Sequence, residues 1–165
     1  GSQVNLLFVA TDAEEPGLYG GYALVDELLT INSIPQAGQI ELAINLDMIG
    51  RPGRRASIQI EGTRQFESFN NMRHAMTDSN QLCISTRQPK SFDGSVIRVD
   101  LLRASDHYPM HKAGIPWLYF GVPTHRDYHQ PSDTSDKINI NFVGATVESV
   151  YQLLIIESLL LKKSP

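Results

Sequence analysis

The chain has 165 residues, of which 41% are hydrophobic, enough for the core of one globular domain. Its 18 acidic and 14 basic residues give a formal net charge of −4 without any basic run, which argues against a nucleic-acid partner. No apolar stretch is long enough to span a bilayer, and a single cysteine, Cys83, excludes an internal disulfide.

Hydrophobic periodicity predicts strands that alternate with helices. We expect strands over residues 4–10, 40–46, 57–61, 82–86 and 116–121, the first of them buried and the third with one solvated face. We expect helices over 17–30, over 64–78, from Asp106 to before Gly114, and from an N-capping Asn141 to the end, with a polar loop over 87–95. This alternation predicts an α/β sandwich.

Two adjacent acids, Glu14 and Glu15, follow the first predicted strand. Like charges raise each other's pKa, and a metal cation between them removes that cost. One acid can then bind the ion while the other carries a proton. The simpler alternative is that both acids favour the N-terminus of the next helix through its dipole.

Two later strands also end in side chains that bind metals. Asp47 follows the strand over 40–46, although an aspartate that forms a turn is common at such a position. His125 and His129 lie in the polar loop after the strand over 116–121. Sites in open α/β sheets form at the carboxyl ends of strands. Glu, Asp and His at three strand ends match the ligand shell of a hydrolytic zinc centre.

Four ordered motifs carry a resemblance to a known family, over about residues 4–161. They are Asp12-Ala13-Glu14-Glu15-Pro16-Gly17-Leu18-Tyr19-Gly20, Asn45-Leu46-Asp47-Met48, Ser105-Asp106-His107-Tyr108-Pro109 and Tyr128-His129-Gln130-Pro131-Ser132-Asp133-Thr134. The chain resembles the M28 zinc metallopeptidases, which include bacterial leucyl aminopeptidases and glutamate carboxypeptidase. The resemblance implies a three-layer sandwich with a central mixed β-sheet flanked by helices.

The resemblance also implies a role for each matching residue. Glu14 matches the general base that deprotonates a metal-bound water. Glu15 and His129 match ligands of one zinc ion, and Asp47 matches a ligand of a second. Tyr128 matches a residue that, in some members, donates a hydrogen bond to the tetrahedral intermediate. We expect Glu15, Asp47 and His129 to converge at one sheet edge, within reach of a common ion.

The supporting motif and the expected activity follow from the same resemblance. Asp106 and His107 match a supporting motif near the site, whose residues do not bind the metal but contact the residues that do. The implied activity is zinc-dependent hydrolysis of peptide bonds, more commonly as an aminopeptidase than as a carboxypeptidase, on a peptide substrate. Two zinc ions are expected in the complete domain, and a secreted or periplasmic location is expected from the family.

The chain departs from the family pattern upstream of Glu14. Family members carry a His-x-Asp motif and a bridging Asp there, but only thirteen residues precede Glu14 and none is histidine. Gly1-Ser2 is typical of a pair left by tag removal, so we assign residues 1–3 to that remnant and 4–165 to a partial catalytic domain. We therefore expect the N-terminal part of the domain to be missing and this chain alone to be inactive.

Two other functions share the fold. A glutaminyl cyclase uses similar residues for an acyl-transfer cyclisation, and receptor ectodomains of this fold are non-catalytic binding domains. The Tyr128-His129-Gln130-Pro131 stretch is more similar to a peptidase than to a cyclase. Retention of Glu14, Glu15, Asp47 and His129 argues against a binding domain.

Overall fold

The structure, a computed structural model, describes residues 5–30, 39–52, 56–66, 69, 73–74, 76, 82–86 and 100–161. These residues contain a four-stranded mixed sheet of β1 (Ala43–Leu46), β2 (Ser57–Glu61), β3 (Cys83–Ser85) and β4 (Trp117–Gly121). The spatial order is β1-β4-β2-β3. β1 and β4 are parallel, as are β2 and β3, whereas β4 and β2 are antiparallel.

The helices flank this sheet. Those whose bounds fall within the described residues are α1 (Tyr19–Thr30), α2 (His107–Lys112) and α3 (Ile140–Leu161), with short 3-10 turns at Thr63–Gln65, Leu101–Arg103 and Ser135–Lys137. The last helix was expected to be capped by Asn141, but Asn139 caps it, because its Oδ1 accepts the Phe142 amide at 3.0 Å. None of the helices within the described residues is long and apolar enough to cross a membrane.

Alternation along β4 separates two packed layers. Leu118 and Phe120 are fully buried in one cluster, which Phe142 and Leu153 of α3 complete. Trp117 and Tyr119 point to the opposite face, where the ring of His107 in α2 lies 4.5 Å and 4.9 Å from theirs. Side chains that alternate in this way place helices on both faces of the sheet. The predicted three-layer α/β fold is therefore confirmed.

The second layer joins α1 to α2. Val25 of α1, Met110 of α2 and Ile115 form a smaller buried cluster, with Ala43 of β1 packed against it. Burial of these apolar surfaces fixes α1, and hence the loop that precedes it, against the sheet.

The buried strand expected over 4–10 is not found, and for residues 5–10 that prediction was wrong. These residues form no strand, and Leu6, Leu7, Phe8 and Val9 are exposed, Phe8 at 88%. A strand is defined by hydrogen bonds to a neighbour, and none of the described strands pairs with this segment. The apolar composition of the run could not reveal that absence.

The other predicted elements fare better. The helix expected over 17–30 and the strands expected over 40–46, 57–61, 82–86 and 116–121 are found within a few residues of those bounds. β2 lacks the expected solvated face, because Gln59 is only 4% exposed on an inner strand. The loop over 87–95 and most of the helix over 64–78 lie outside the described residues, although Phe69 and Met76 are helical and buried.

Two glycines with positive φ allow a test of the contact between β2 and β4. Gly62 follows β2 with φ +86°, and an added Cβ would collide with the Trp117 carbonyl oxygen. Gly114 has φ +73°, but an added Cβ there meets nothing within 4 Å. Gly114→Ala should therefore lower the free energy of unfolding by about 1 kcal/mol, and Gly62→Ala by at least about 2 kcal/mol more. Urea denaturation of both variants measures the difference, and equal losses would contradict the close approach.

Candidate active site

A cleft of about 310 Å³ opens at the carboxyl ends of β1 and β4. Because these strands are parallel, the residues that follow them meet at the same sheet edge. The cleft is lined by Glu14, Glu15, Asp47, Tyr119 and Tyr128, with Leu18, Met48 and Val122 among its apolar walls. The predicted catalytic residues and two of the predicted metal ligands therefore share one cavity.

The loop that carries the two glutamates is fixed to the start of α1. The Glu14 carbonyl accepts the amides of Gly17 at 3.0 Å and Leu18 at 2.8 Å. The Gly20 amide donates to the Asp12 carbonyl at 3.1 Å, and a Cβ on Gly20 would collide with the Asp12 backbone. The glycine is therefore needed for the loop to fold back on the helix.

Glu14 is partly buried among other acids. Burial raises the pKa of its carboxyl, and the charges of Asp47, Glu15 and Asp106 raise it further, while His129 lowers it. A carboxyl whose pKa is raised accepts a proton more readily than a solvated glutamate does.

Asp47 directly follows β1, and its amide donates to the Phe120 carbonyl at 3.0 Å. Burial raises the pKa of its carboxyl, a hydrogen bond from the buried Ser105 hydroxyl lowers it, and the net shift is upward. Asn45 in turn donates to the Ser105 Oγ at 2.8 Å. The side chain of Asp47 is therefore oriented by a short polar chain behind it.

His107 is the inner end of that chain. It is 1% exposed, its Nε2 lies 2.8 Å from the Leu101 carbonyl, and its Nδ1 lies 3.4 Å from the Asn45 amide nitrogen. The carbonyl can only accept, so Nε2 carries the proton and Nδ1 accepts from Asn45. Burial lowers the pKa of His107 to about 4, so the ring is neutral. The predicted supporting residue thus lies behind Asp47 and away from the cleft.

Asp106 approaches the site from the start of α2. Thr11 Oγ1 donates to its Oδ2 at 2.6 Å, whereas its buried Oδ1 has no hydrogen-bond partner among the described residues. Its charge raises the pKa values of both Glu14 and Asp47. An unpartnered carboxylate oxygen beside other acids is a position that a cation or a proton stabilises.

Glu15 and His129 lie at the outer edge of the cleft. His129 Nε2 is 2.9 Å from Glu15 Oε1, and the ring of Tyr128 stacks on the His129 ring at 3.8 Å. In a tetrahedral zinc shell, an oxygen and a nitrogen ligand lie about 3.3 Å apart. The pair is therefore close to the spacing of two neighbouring zinc ligands.

The expected three-residue convergence is not met. No three His, Cys, Asp or Glu side chains of the described residues lie close enough together to hold a metal ion. Glu15 turns outward to His129, while Asp47 is held inward by Ser105. This separation does not fit a common ion, whereas the assignment of Glu15 and His129 to one ion and Asp47 to another stays a prediction.

Two cleft residues were missed by sequence reasoning. Tyr119 lies in an apolar strand, yet its hydroxyl reaches the cleft and lies so close to Gly121 that a Cβ there would collide with it. Burial, followed by the charge of Asp47, raises the pKa of Tyr119. Gln59 also lines the cleft and donates to Glu61 at 2.8 Å. The sequence did offer a signal for both, since Tyr119 in β4 and Gln59 in β2 each place a polar group within a strand.

The neutral state of His107 predicts a pH-dependent stability. Its pKa is about 4 in the folded protein and 6.5 in the unfolded chain. As pH falls from 6.5 to 4 the unfolded state takes up a proton that the folded state does not, so about 3 kcal/mol of stability is lost. We expect His107→Gln to lack this loss.

Urea denaturation of both proteins at pH 7 and pH 4 measures the change. The stability difference between wild type and His107→Gln should shrink by about 3 kcal/mol on acidification. A difference that stays constant with pH would show that His107 is not buried in its neutral form.

Comparisons with known proteins identify the family and the fold. A sequence profile described as peptidase family M28 matches residues 1–154. A comparison with curated protein sequences found no match.

Among solved structures, BSAP, a zinc aminopeptidase from Bacillus subtilis, aligns with a TM-score of 0.64 and 22% identity, covering 90% of this chain and 34% of that one. The Legionella pneumophila LapA aminopeptidase aligns with a TM-score of 0.63 and 18% identity, covering 88% of this chain and 37% of that one. An aminopeptidase from Aneurinibacillus sp. strain AM-1 aligns with a TM-score of 0.55 and 21% identity, covering 84% of this chain and 31% of that one.

At these identities the structural likeness shows the fold, and the chain spans about a third of the length of these proteins. The family profile, by contrast, covers most of the chain and includes every residue of the cleft. The chain belongs to peptidase family M28.

Proposed function

We propose that these residues serve a zinc-dependent exopeptidase, an aminopeptidase, in which Glu14 is the general base. The observation that carries the proposal is the position of Glu14, a carboxyl of raised pKa, in one cleft with Asp47 and with Glu15, whose side chain contacts His129. An acid placed beside metal-binding side chains, without being tied to one of them, has the freedom to move a proton.

In this proposal Glu15 and His129 hold one zinc ion and Asp47 contributes to a second. Zinc, when bound, acidifies water toward a pKa of about 7. Glu14 takes the proton from the attacking water and passes it to the leaving amine. Its raised pKa suits both steps, because the carboxyl must first accept the proton and then release it near neutral pH.

Tyr128 supplies a hydrogen-bond donor at the mouth of the cleft. Burial raises the pKa of its hydroxyl, and the charges of Glu15, Asp47 and Glu14 raise it further. The hydroxyl therefore keeps its proton at working pH and donates to the oxyanion that develops on the substrate carbonyl. The stacked ring of His129 limits the directions in which Tyr128 can turn.

The solved structures that align with this chain favour an aminopeptidase over a carboxypeptidase, because the three described above are all aminopeptidases. The cleft itself is lined by the carboxyl groups of Glu14, Glu15 and Asp47, and the one lysine or arginine among its described lining residues is Arg103.

Substitutions of the two adjacent glutamates should separate proton transfer from metal binding. In the full-length protein, Glu14→Gln should lower kcat for a leucine anilide by about 10² to 10⁴-fold and leave zinc content nearly unchanged. Glu15→Gln should instead lower zinc content, because it removes a ligand. Steady-state kinetics and metal analysis of the purified variants measure both effects.

Glu27→Gln is the matched control, since Glu27 is exposed on α1 away from the cleft. It should change neither kcat nor zinc content. Near-normal kcat in Glu14→Gln would refute the role of Glu14 as base. Turnover of an N-terminal glutaminyl peptide to its cyclic product, without hydrolysis of the anilide, would favour the glutaminyl cyclase alternative. Zinc-loaded protein with neither activity would favour a binding domain.

A further inference from the structure

Arg51 links the two strand ends that form the cleft. It lies in the turn after β1, four residues beyond Asp47. Its Nη2 donates to Asp127 Oδ2 at 2.6 Å and its Nη1 donates to Asp133 Oδ1 at 2.8 Å. Both aspartates belong to the loop after β4, so one guanidinium bridges the Asp47 turn and the loop that carries Tyr128 and His129.

Asp127 is the centre of this contact. Its second oxygen, Oδ1, accepts from Lys137 Nζ at 2.9 Å and from Ser132 Oγ at 2.7 Å. The Arg51 hydrogen bond, followed by those of Lys137 and Ser132, holds the pKa of Asp127 well below its usual range. The carboxylate is therefore held by three side-chain donors.

The backbone around Asp127 turns tightly toward the site. Asp127 precedes Tyr128 and lies two residues before His129, and its carbonyl accepts the Gln130 amide at 2.9 Å. His129 has φ +56°, a left-handed conformation that a residue with a side chain adopts only where its surroundings fix it. The hydrogen bonds of Asp127 hold the backbone next to this strained residue.

We propose that Arg51 is a positioning residue that sets His129 and Tyr128 relative to Asp47, through Asp127 and Asp133. The inference rests on the proposed zinc site. It also explains the choice of arginine, because a planar guanidinium offers two parallel donors to two carboxylates, whereas lysine offers a single charged point.

Zinc titration of the full-length protein tests the proposal. Arg51→Gln and Asp127→Asn should each weaken zinc binding by about 10 to 100-fold, measured by competition with a chromogenic chelator. The loss of zinc affinity in the double variant should be smaller than the sum of the two single losses, because both substitutions remove the Arg51–Asp127 contact. Arg51→Lys should recover only part of the loss, since it reaches one aspartate at a time.

A second readout separates positioning from general destabilisation. Lys112→Gln, which removes an exposed cation from α2, is the control and should leave zinc binding unchanged. A lower melting temperature in Arg51→Gln, with zinc affinity of the folded protein within twofold of wild type, would overturn the proposal.

Amide hydrogen exchange of the metal-free protein keeps the inference apart from the proposed function. Arg51→Gln should speed exchange at Gln130 by about tenfold or more and leave α3 unchanged. If the wild type binds no zinc, the proposed function fails. Faster exchange at Gln130 in Arg51→Gln would still support Arg51 as the residue that positions the loop. Unchanged exchange at Gln130 would refute it, whatever the zinc affinity.

Discussion

Repulsion among carboxylates is the constraint around which this cleft is built. Glu14, Glu15, Asp47 and Asp106 come from three separate segments and lie near enough that their charges raise the pKa values of Glu14 and Asp47. Acids crowded in this way cost folding energy unless a proton or a cation offsets the charge. The unpartnered Oδ1 of Asp106 reflects the same excess of acceptors over donors. A cationic ligand is the simplest means of relieving all of these features together.

Two different networks lie next to the cleft. Behind Asp47 the network is buried and neutral, and runs through Ser105 and Asn45 to His107. In front, the network is charged and partly exposed, and runs from Arg51 to Asp127 and on to Lys137. A neutral interior network avoids placing a further charge near the cleft, whereas the outer one uses opposite charges where water reduces the cost of desolvation.

The two sides of the cleft differ in rigidity for a physical reason. Asp47 is fixed directly by the backbone of β1 and β4, since its amide bonds to the Phe120 carbonyl. Glu15 and His129 lie on loops, where their contact at 2.9 Å joins two segments that no strand ladder connects. One side of the cleft is therefore as rigid as the sheet, and the other is only as rigid as the anchors of its loops.

The sequence by itself determined the family, the α/β alternation and the chemistry of the acids, because periodicity and short motifs are local properties. Trp117–Gly121 and Ser57–Glu61 could be identified as strands from their hydrophobic pattern alone. Only the tertiary structure decided which segments pair, and so the apolar run over 5–10 was misread as a buried strand. It also decided that Glu15 faces His129 while Asp47 faces Ser105, and that Tyr119 and Gln59 reach the cleft. These outcomes depend on strand order and on side-chain contacts between residues far apart in the chain, which no local pattern encodes.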